Sequence, residues 1–312
     1  MNTITDLNTV DQTTVGLYGK FLVTRADGKD QPGGKHEHDE YFVLNTTTDR
    51  HAIPALIAYA ESCQHQYPLL AKDLKAIVSN NLKAANDFIE VPAITLPNGT
   101  VVPAFMVGRY HASEAMPGMV TINADYKPRV NINYHDARKA SAEAGYQLIS
   151  ETQWLAIAYE ITKQDDNWTG GKVGEGEIYR GLHKDTAHGA QNGHFTSEEL
   201  TERRWHVLSN GERIYDFSGN VYSWVFDDVQ GDDNGIIAKA FASDSPTVTT
   251  APYKSREYGI GDTSTGSGNW SGLALVRGGC WYSGGRAGVF ILYHVWPDYD
   301  AGNVGFRCTK SL

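Results

Sequence analysis

The chain has only three cysteines in 312 residues, Cys63, Cys280 and Cys308. So small and odd a number excludes a disulfide framework. There is no apolar run of about eighteen residues, the length a membrane-spanning helix needs. There is no basic excess either. The 27 Lys and Arg stand against 37 Asp and Glu, a net charge of −10, and a nucleic-acid surface would need basic patches. No basic N-terminal stretch leads into an apolar one, so no secretory signal is read. Synthesis in the cytoplasm is expected, with exit on a virus particle or by another route compatible with that. What the chain does have is 41% hydrophobic residues over a length that suits two domains, or one large domain with an appendage.

Residues 1–50 are polar, with strand-like pieces at Val15–Val23 and Tyr41–Leu44. The run Lys35–Glu40, KHEHDE, reads as a solvated loop rather than a metal site, because polar charged runs usually stay in water. Asp49 is placed to cap a helix over about 51–64, with Pro54 tolerated in its first turn. Ile53, Leu56, Ile57 and Ala60 form its apolar stripe, with Cys63 nearby. Pro68 starts a second helix running to about Ala85, with Leu70, Leu74, Ile77, Val78 and Leu82 on one face. The expectation is an N-terminal module over 1–90 holding a helical hairpin. It would serve in oligomerisation or attachment, or simply pack on a larger domain over 91–312.

That larger domain opens with weak alternation over 93–107 around the turn Pro97-Asn98-Gly99, a hairpin signal. A helix is expected at about Asp136–Ala144. Another follows Ser150, where Ser150 and Gln153 fit a capping box. Trp154, Ile157, Ala158 and Ile161 give that helix a buried stripe, so Trp154 reads as core. Residues 164–205 form a long polar, Gly-rich stretch containing His183, His188 and His194, whose spacing fits no compact metal motif. Residues 209–228, SNGERIYDFSGNVYSWVFDD, set Gly219 for a tight bend and Asn220 to satisfy buried main-chain groups, ahead of Trp224.

The last 36 residues are the most informative. A frame, RGG-W, AGVF and NVGFR, brackets positions filled with Tyr, Trp, His, Asp, Arg and Ser. Residues 281–302 hold six aromatics in 22 positions, against 11% in the whole chain. Tyr, Trp and Arg are the usual anchors of binding interfaces. Phe290 and Leu292 alternate with Ile291 and Tyr293, as a strand with one outward face requires.

These segments, in this order, resemble the formylglycine-generating-enzyme (sulfatase-modifying-factor) family over roughly Val91 to Cys308. The resemblance implies an α+β, C-type-lectin-like fold with long irregular loops. More closely, the frame is similar to the variable proteins of diversity-generating retroelements. Those proteins display a mutable ligand-binding face on this fold, diversified by adenine-directed mutagenic retrohoming. The resemblance implies that Cys280, Tyr282, Ser283, Arg286, Ile291, Tyr293, His294, Trp296, Asp298, Tyr299 and Asp300 are variable contact positions. All but Trp296 are amino acids that an NNC codon encodes, the product expected when template AAC codons are altered. Trp154, Gly219, Asn220, Trp224, Trp281, Phe290, Gly305, Phe306 and Arg307 would be scaffold. The implied partner is a macromolecule, a protein or cell-surface receptor, bound by a chain that could form a homo-oligomer.

The family's oxygen-dependent enzymes hold copper with two cysteines just beyond RGG-x-W, as soft Cu(I) prefers. Ser283 and Gly288 stand at those positions, so catalysis is not expected. Cys308, after GFR, reads as structural. The iron-binding motif H-x-x-x-H-x-E of another branch is absent. A family calcium site would need an acid where Ser223 stands, which leaves Asp216 as the candidate ligand; no cofactor is expected. The competing expectations are a divergent formylglycine-generating-like oxidase and a fixed-specificity phage or surface structural protein.

Overall fold

A computed structural model describes residues 11, 20–49, 51–263 and 269–312. The chain divides into two compact units, Met1–Asn81 and Leu82–Leu312.

In the first unit, residues 20–49 run as turns and irregular chain. Tyr41–Leu44 was expected as a strand and is not one. Four residues with no neighbouring strand to complete their hydrogen bonds do not make a ladder. The expected strand at 15–23 lies largely outside the described residues. Within KHEHDE, the half-buried His36 ring stands 2.7 Å from the exposed Asp39. Helix α1 spans Ala52–Cys63 and α2 spans Pro68–Ala84. Asp49 lies outside the first turn, where its carboxylate accepts from the His51 N–H at 2.9 Å; the cap position is His51. Ala52 and Ala60 are the buried residues of α1, and Ile53, Leu56 and Ile57 are half-buried. On α2, Ala71 and Val78 are buried, while Leu70 and Ile77 are exposed, contrary to the expected stripe.

The second unit is a chain of short strands and two substantial helices. Its first strands are β1 Phe88–Val91, β2 Ile94–Thr95, β3 Val101–Val102 and β4 Phe105–Gly108. β2 and β3 pair antiparallel across the Pro97-Asn98-Gly99 turn, closed by Gly99 N–H to the Leu96 carbonyl at 2.9 Å. Strands β5 Ser113–Met116 and β6 Met119–Thr121 form a second hairpin. Helix α3, Tyr134–Glu143, starts at Asn133, whose side chain accepts from Asp136 N–H. After β7, Gln147–Leu148, comes α4, Glu151–Thr162. Both halves of its capping box form between Ser150 and Gln153.

Beyond the long loop lie β8 Trp205–Val207, β9 Arg213–Tyr215, β10 Tyr222–Val225 and a four-residue helix α5, Pro246–Thr249. The chain ends with β11 Ala274–Gly278, β12 Gly288–Val295, β13 Val304–Phe306 and β14 Cys308–Lys310. One four-stranded sheet has the order β1-β4-β14-β7 and the other β12-β11-β10-β13. The second is antiparallel except for the parallel pair β10–β13. Every residue of β11 is buried, as in a strand covered on both faces. Leu275 joins the core around α4, while Ala274 and Val276 join the core around α3.

Two buried guanidiniums tie these layers. Arg277 pairs with the carboxylate of Glu151 at the start of α4, both with no exposed side-chain surface. It also donates to the carbonyls of Phe290 and Ile291, so it pins β12 to the helix. Arg307 has no carboxylate partner among the described residues. It donates to the carbonyls of Gly108, Arg109, Tyr215 and Asp216 instead. Desolvation brings its pKa down to about 10, which still leaves it charged at neutral pH.

Candidate ligand-binding face

The face is built by β12 and the two connections that flank it. The first half of β12 is covered from outside by residues 260–262. Phe290 N–H donates to the Ile260 carbonyl and Leu292 N–H to the Asp262 carbonyl, both at 2.8 Å. A side chain at Gly288 could not coexist with this cover: a Cβ there would lie 2.1 Å from the Gly261 nitrogen. Gly288 to Leu292 are therefore buried, and exposure begins at Tyr293. A turn follows, closed by Tyr299 N–H to the Trp296 carbonyl at 2.9 Å, and the chain then re-enters the sheet as β13.

This geometry sorts the expected contact residues. Tyr282, Tyr293, Trp296 and Tyr299 are 53%, 48%, 71% and 39% exposed. Arg286, Asp298 and Asp300 are exposed, and Ser283 and His294 are half-buried. Cys280 and Ile291 were expected on the surface and are instead buried, 0% and 2% exposed, although Ile291 still lines the cleft described below. Ile291 is covered by the 260–262 segment, which breaks the alternation read along the strand. The Cys280 N–H donates to the Ser283 hydroxyl at 2.9 Å, and its sulfur lies 3.3 Å from the same oxygen. Burial pushes the Cys280 thiol pKa up, the opposite of an activated nucleophile.

The exposed rings converge on one cleft of about 690 Å³. Tyr282, Arg286, Tyr293, His294, Trp296 and Tyr299 all line it, although 17 positions of sequence separate the first and last. Tyr222, Trp270 and Asn303 also line it and were not foreseen. Tyr222 sits 6.0 Å from the Tyr293 ring, and Trp270 lies 4.0 Å from the His294 ring. Tyr222 was not legible: it stands two residues before buried Trp224 in β10, on the same face of the strand, where spacing alone assigns it to the interior. Asn303 donates to the Tyr282 hydroxyl at 2.6 Å. Desolvation pushes the pKa of both Tyr222 and Tyr282 up to about 12, so both remain protonated donors at neutral pH. Desolvation also lowers the pKa of His294, favouring a neutral ring.

The expected scaffold residues are mostly buried. Trp154 is fully buried, stacks on Phe217 at 3.9 Å between centroids, and donates from its indole to the Val289 carbonyl. Trp224 donates to the Ile132 carbonyl at 2.9 Å. Phe290, Gly305, Phe306 and Arg307 are buried, whereas Trp281 is half-buried. Gly219 has φ +76°, and a Cβ there would meet the Leu182 carbonyl at 2.3 Å. The Asn220 amide accepts from Gln191 N–H and donates to the Gln191 carbonyl, fixing the long loop. Asp216, the calcium candidate, gives one oxygen to each of two Arg204 nitrogens, at 2.8 and 2.5 Å, and also accepts from Asn220. Its charge is already met by a guanidinium, so the donor set does not fit calcium. Among the described residues, no group of three or more His, Cys, Asp and Glu could hold a metal. His183 instead contacts the Gly181 carbonyl, and His194 contacts Asp125.

A second cleft, about 680 Å³, lies between α3, β14 and the start of α4. Several of its polar groups are already engaged. Arg138 reaches Asn234 and covers Phe226, Lys310 covers Phe88, and Asp228 accepts from Thr152 N–H. None of the expected site residues lines it.

The model of the sulfatase-modifying factor enzyme 1-like domain matches residues 66–312. The chain belongs to the sulfatase-modifying factor enzyme 1-like family. Its α+β architecture is the C-type-lectin-like fold of that family. Within the matched span, the Gly288 position is closed by the backbone of residues 260–261. No curated protein sequence matches the chain. Among solved structures, it is similar to the Major Tropism Determinant I1 variant, at 15% identity and TM-score 0.37 over 72% of this chain and 54% of that one. The chain thus spans about half the length of that neighbour. It is similar to variable protein 1 of Treponema denticola at 14% identity and TM-score 0.34, over 73% of this chain and 92% of that one. It is also similar to PvdO of Pseudomonas aeruginosa at 16% identity and TM-score 0.35, over 72% and 94%. Among the described residues, no helix is long and apolar enough to cross a membrane.

Proposed function

We propose that this protein is a non-catalytic ligand-binding protein whose variable face is the segment of about 280–302, diversified by mutagenic retrohoming of a retroelement. The observation that carries the reading is the sorting of side chains along that segment. Tyr282, Arg286, Tyr293, Trp296 and Tyr299 line one cleft, while Phe290, in the same segment, is buried and does not line it. Exposed aromatics around a concave surface are costly unless they bind something. The buried frame, pinned by Arg277, keeps the backbone in place whatever side chains the variable positions carry. The domain of 91–312 would present this face and the module of 1–90 would serve attachment or oligomerisation. The ligand is a macromolecule, a protein or a cell-surface receptor, met outside the cell, as on a virus particle. The thiol and ring chemistry supports the non-catalytic part: the Cys280 thiol is buried with a raised pKa, and Gly288 leaves no room for a second sulfur.

The test is deep sequencing of the locus and its flanks across a population. Substitutions confined to exposed codons of 280–302, matched to adenines in a nearby template copy, are expected. An invariant segment with no template copy would leave a fixed-specificity binding domain and remove the diversification.

A further inference from the structure

Two fixed charges line the cleft, Asp262 and Arg286. Asp262 is engaged, its carboxylate 3.0 Å from an Arg256 nitrogen and 3.3 Å from the Ser255 hydroxyl. The Arg286 guanidinium forms no ion pair with any described residue, and the exposed Asp298 and Asp300 do not line the cleft. The Arg286 backbone is fixed on both sides. Its N–H donates to the Ser283 carbonyl at 3.2 Å, and its carbonyl accepts from Asp262 N–H at 3.0 Å. A stationary turn therefore presents an unpaired, always-charged fork at one end of an aromatic cleft.

Resting on the reading of this cleft as the ligand face, we propose that the present side chains select a protein ligand through an acidic residue flanked by an apolar one. The carboxylate of an Asp or Glu would meet the Arg286 fork in a bidentate pair. The neighbouring apolar side chain would lie against Tyr222, Tyr293 and Trp296. A saccharide fits less well. The Asn303 amide donates to Tyr282 and the Asp262 carboxylate is engaged by Arg256, so neither the cleft's amide nor its carboxylate is fully open to an array of sugar hydroxyls. The overall charge of −10 does not forbid an acidic ligand. Charges farther than about 8 Å are screened at physiological salt, whereas the contact with Arg286 is local.

The test measures binding of N-acetyl-Phe-Glu-amide, N-acetyl-Phe-Gln-amide and N-acetyl-Phe-Lys-amide to the full chain by chemical-shift titration, with glucuronate alongside. The Glu peptide is expected to bind roughly ten-fold more tightly than the Gln peptide, the size of one charge-assisted pair. Arg286→Gln should abolish that difference without altering the melting temperature, and Arg286→Lys should retain only part of it. Equal binding of the three peptides, or a preference for the Lys peptide, overturns the inference and leaves the cleft as the ligand face. Arg286-dependent binding of glucuronate without the Glu peptide overturns the protein source. Perturbations that map to the second cleft, or no binding by any probe, overturn the inference, whereas the face itself stands or falls on the sequencing of the locus.

Discussion

Tyr293 and Phe290 are three positions apart on one strand, yet one is 48% exposed and the other 1%. Their alanine variants should therefore fail in different ways. Tyr293→Ala should weaken ligand binding with little change in denaturation midpoint. Phe290→Ala should cost about 3–5 kcal/mol of stability, the usual range for a fully buried ring. If Tyr293→Ala instead unfolds the protein in a denaturant titration, the ring is part of the core and the face is misassigned. Gly288 offers a sharper case. Its ideal Cβ would sit 2.1 Å from a backbone nitrogen, so relief requires moving the chain at 260–261, not a flexible side chain. Gly288→Ala should cost ~1–3 kcal/mol or more. The pair Ser283→Cys with Gly288→Cys should not yield a stable Cu(I) site; tight Cu(I) binding at an unchanged melting temperature would show that the site is open. Cys280 and Ile291 show what residue-level reading misses. Ile291 is covered by a segment nearly thirty positions away along the chain, and no local pattern encodes that cover.

Elements were legible where their determinants are local. The start of α4 follows from Ser150 with Gln153, whereas the Asn133 cap starts α3 at Tyr134, two residues ahead of the expected Asp136. The β2–β3 hairpin follows from its own turn. Where stability depends on distant partners, the reading was weaker: Tyr41–Leu44 has strand composition but no strand beside it, and Leu70 and Ile77 stay exposed despite helical spacing. The aromatic enrichment of 281–302 marked part of the cleft lining in sequence, but Tyr222, Trp270 and Asn303 reach the cleft only through the order β12-β11-β10-β13 and its connections. The capping box gives an element-scale prediction. Ser150→Ala removes the acceptor for Gln153 N–H and should cost about 0.5–2 kcal/mol. Because α4 carries Glu151, the partner of Arg277, the loss should appear as global destabilisation rather than local fraying. Hydrogen exchange confined to the first turn of α4, with an unchanged denaturant midpoint, would contradict this.

At the scale of the whole molecule, the fold is assembled around polar groups held in a dry interior, and this gives it a pH dependence. His111 is buried between Ser223, 2.8 Å from its Nε2, and Arg307; desolvation first, then the Arg307 and Arg204 charges, lowers its pKa well below the usual value. His206 sets its Nε2 2.7 Å from the Tyr179 carbonyl, and desolvation lowers its pKa to about 3. Both rings are neutral in the native state, whereas an unfolded chain protonates them near pH 6.5. Below that pH the unfolded state binds more protons, so stability must fall as pH drops from about 6.5 toward the native pKa values; above it, these two histidines contribute no slope. Each should cost about 1.4 kcal/mol per pH unit once the unfolded ring is fully protonated. Urea titrations between pH 7.5 and 5 should therefore show stability falling, with these two rings supplying about two of the protons taken up on unfolding near pH 5, and His206→Asn should reduce the uptake by about one. A flat profile across this range would mean that the interior admits water to these rings. The buried frame would then be looser than a scaffold needs to be if it is to hold its backbone while the face above it changes.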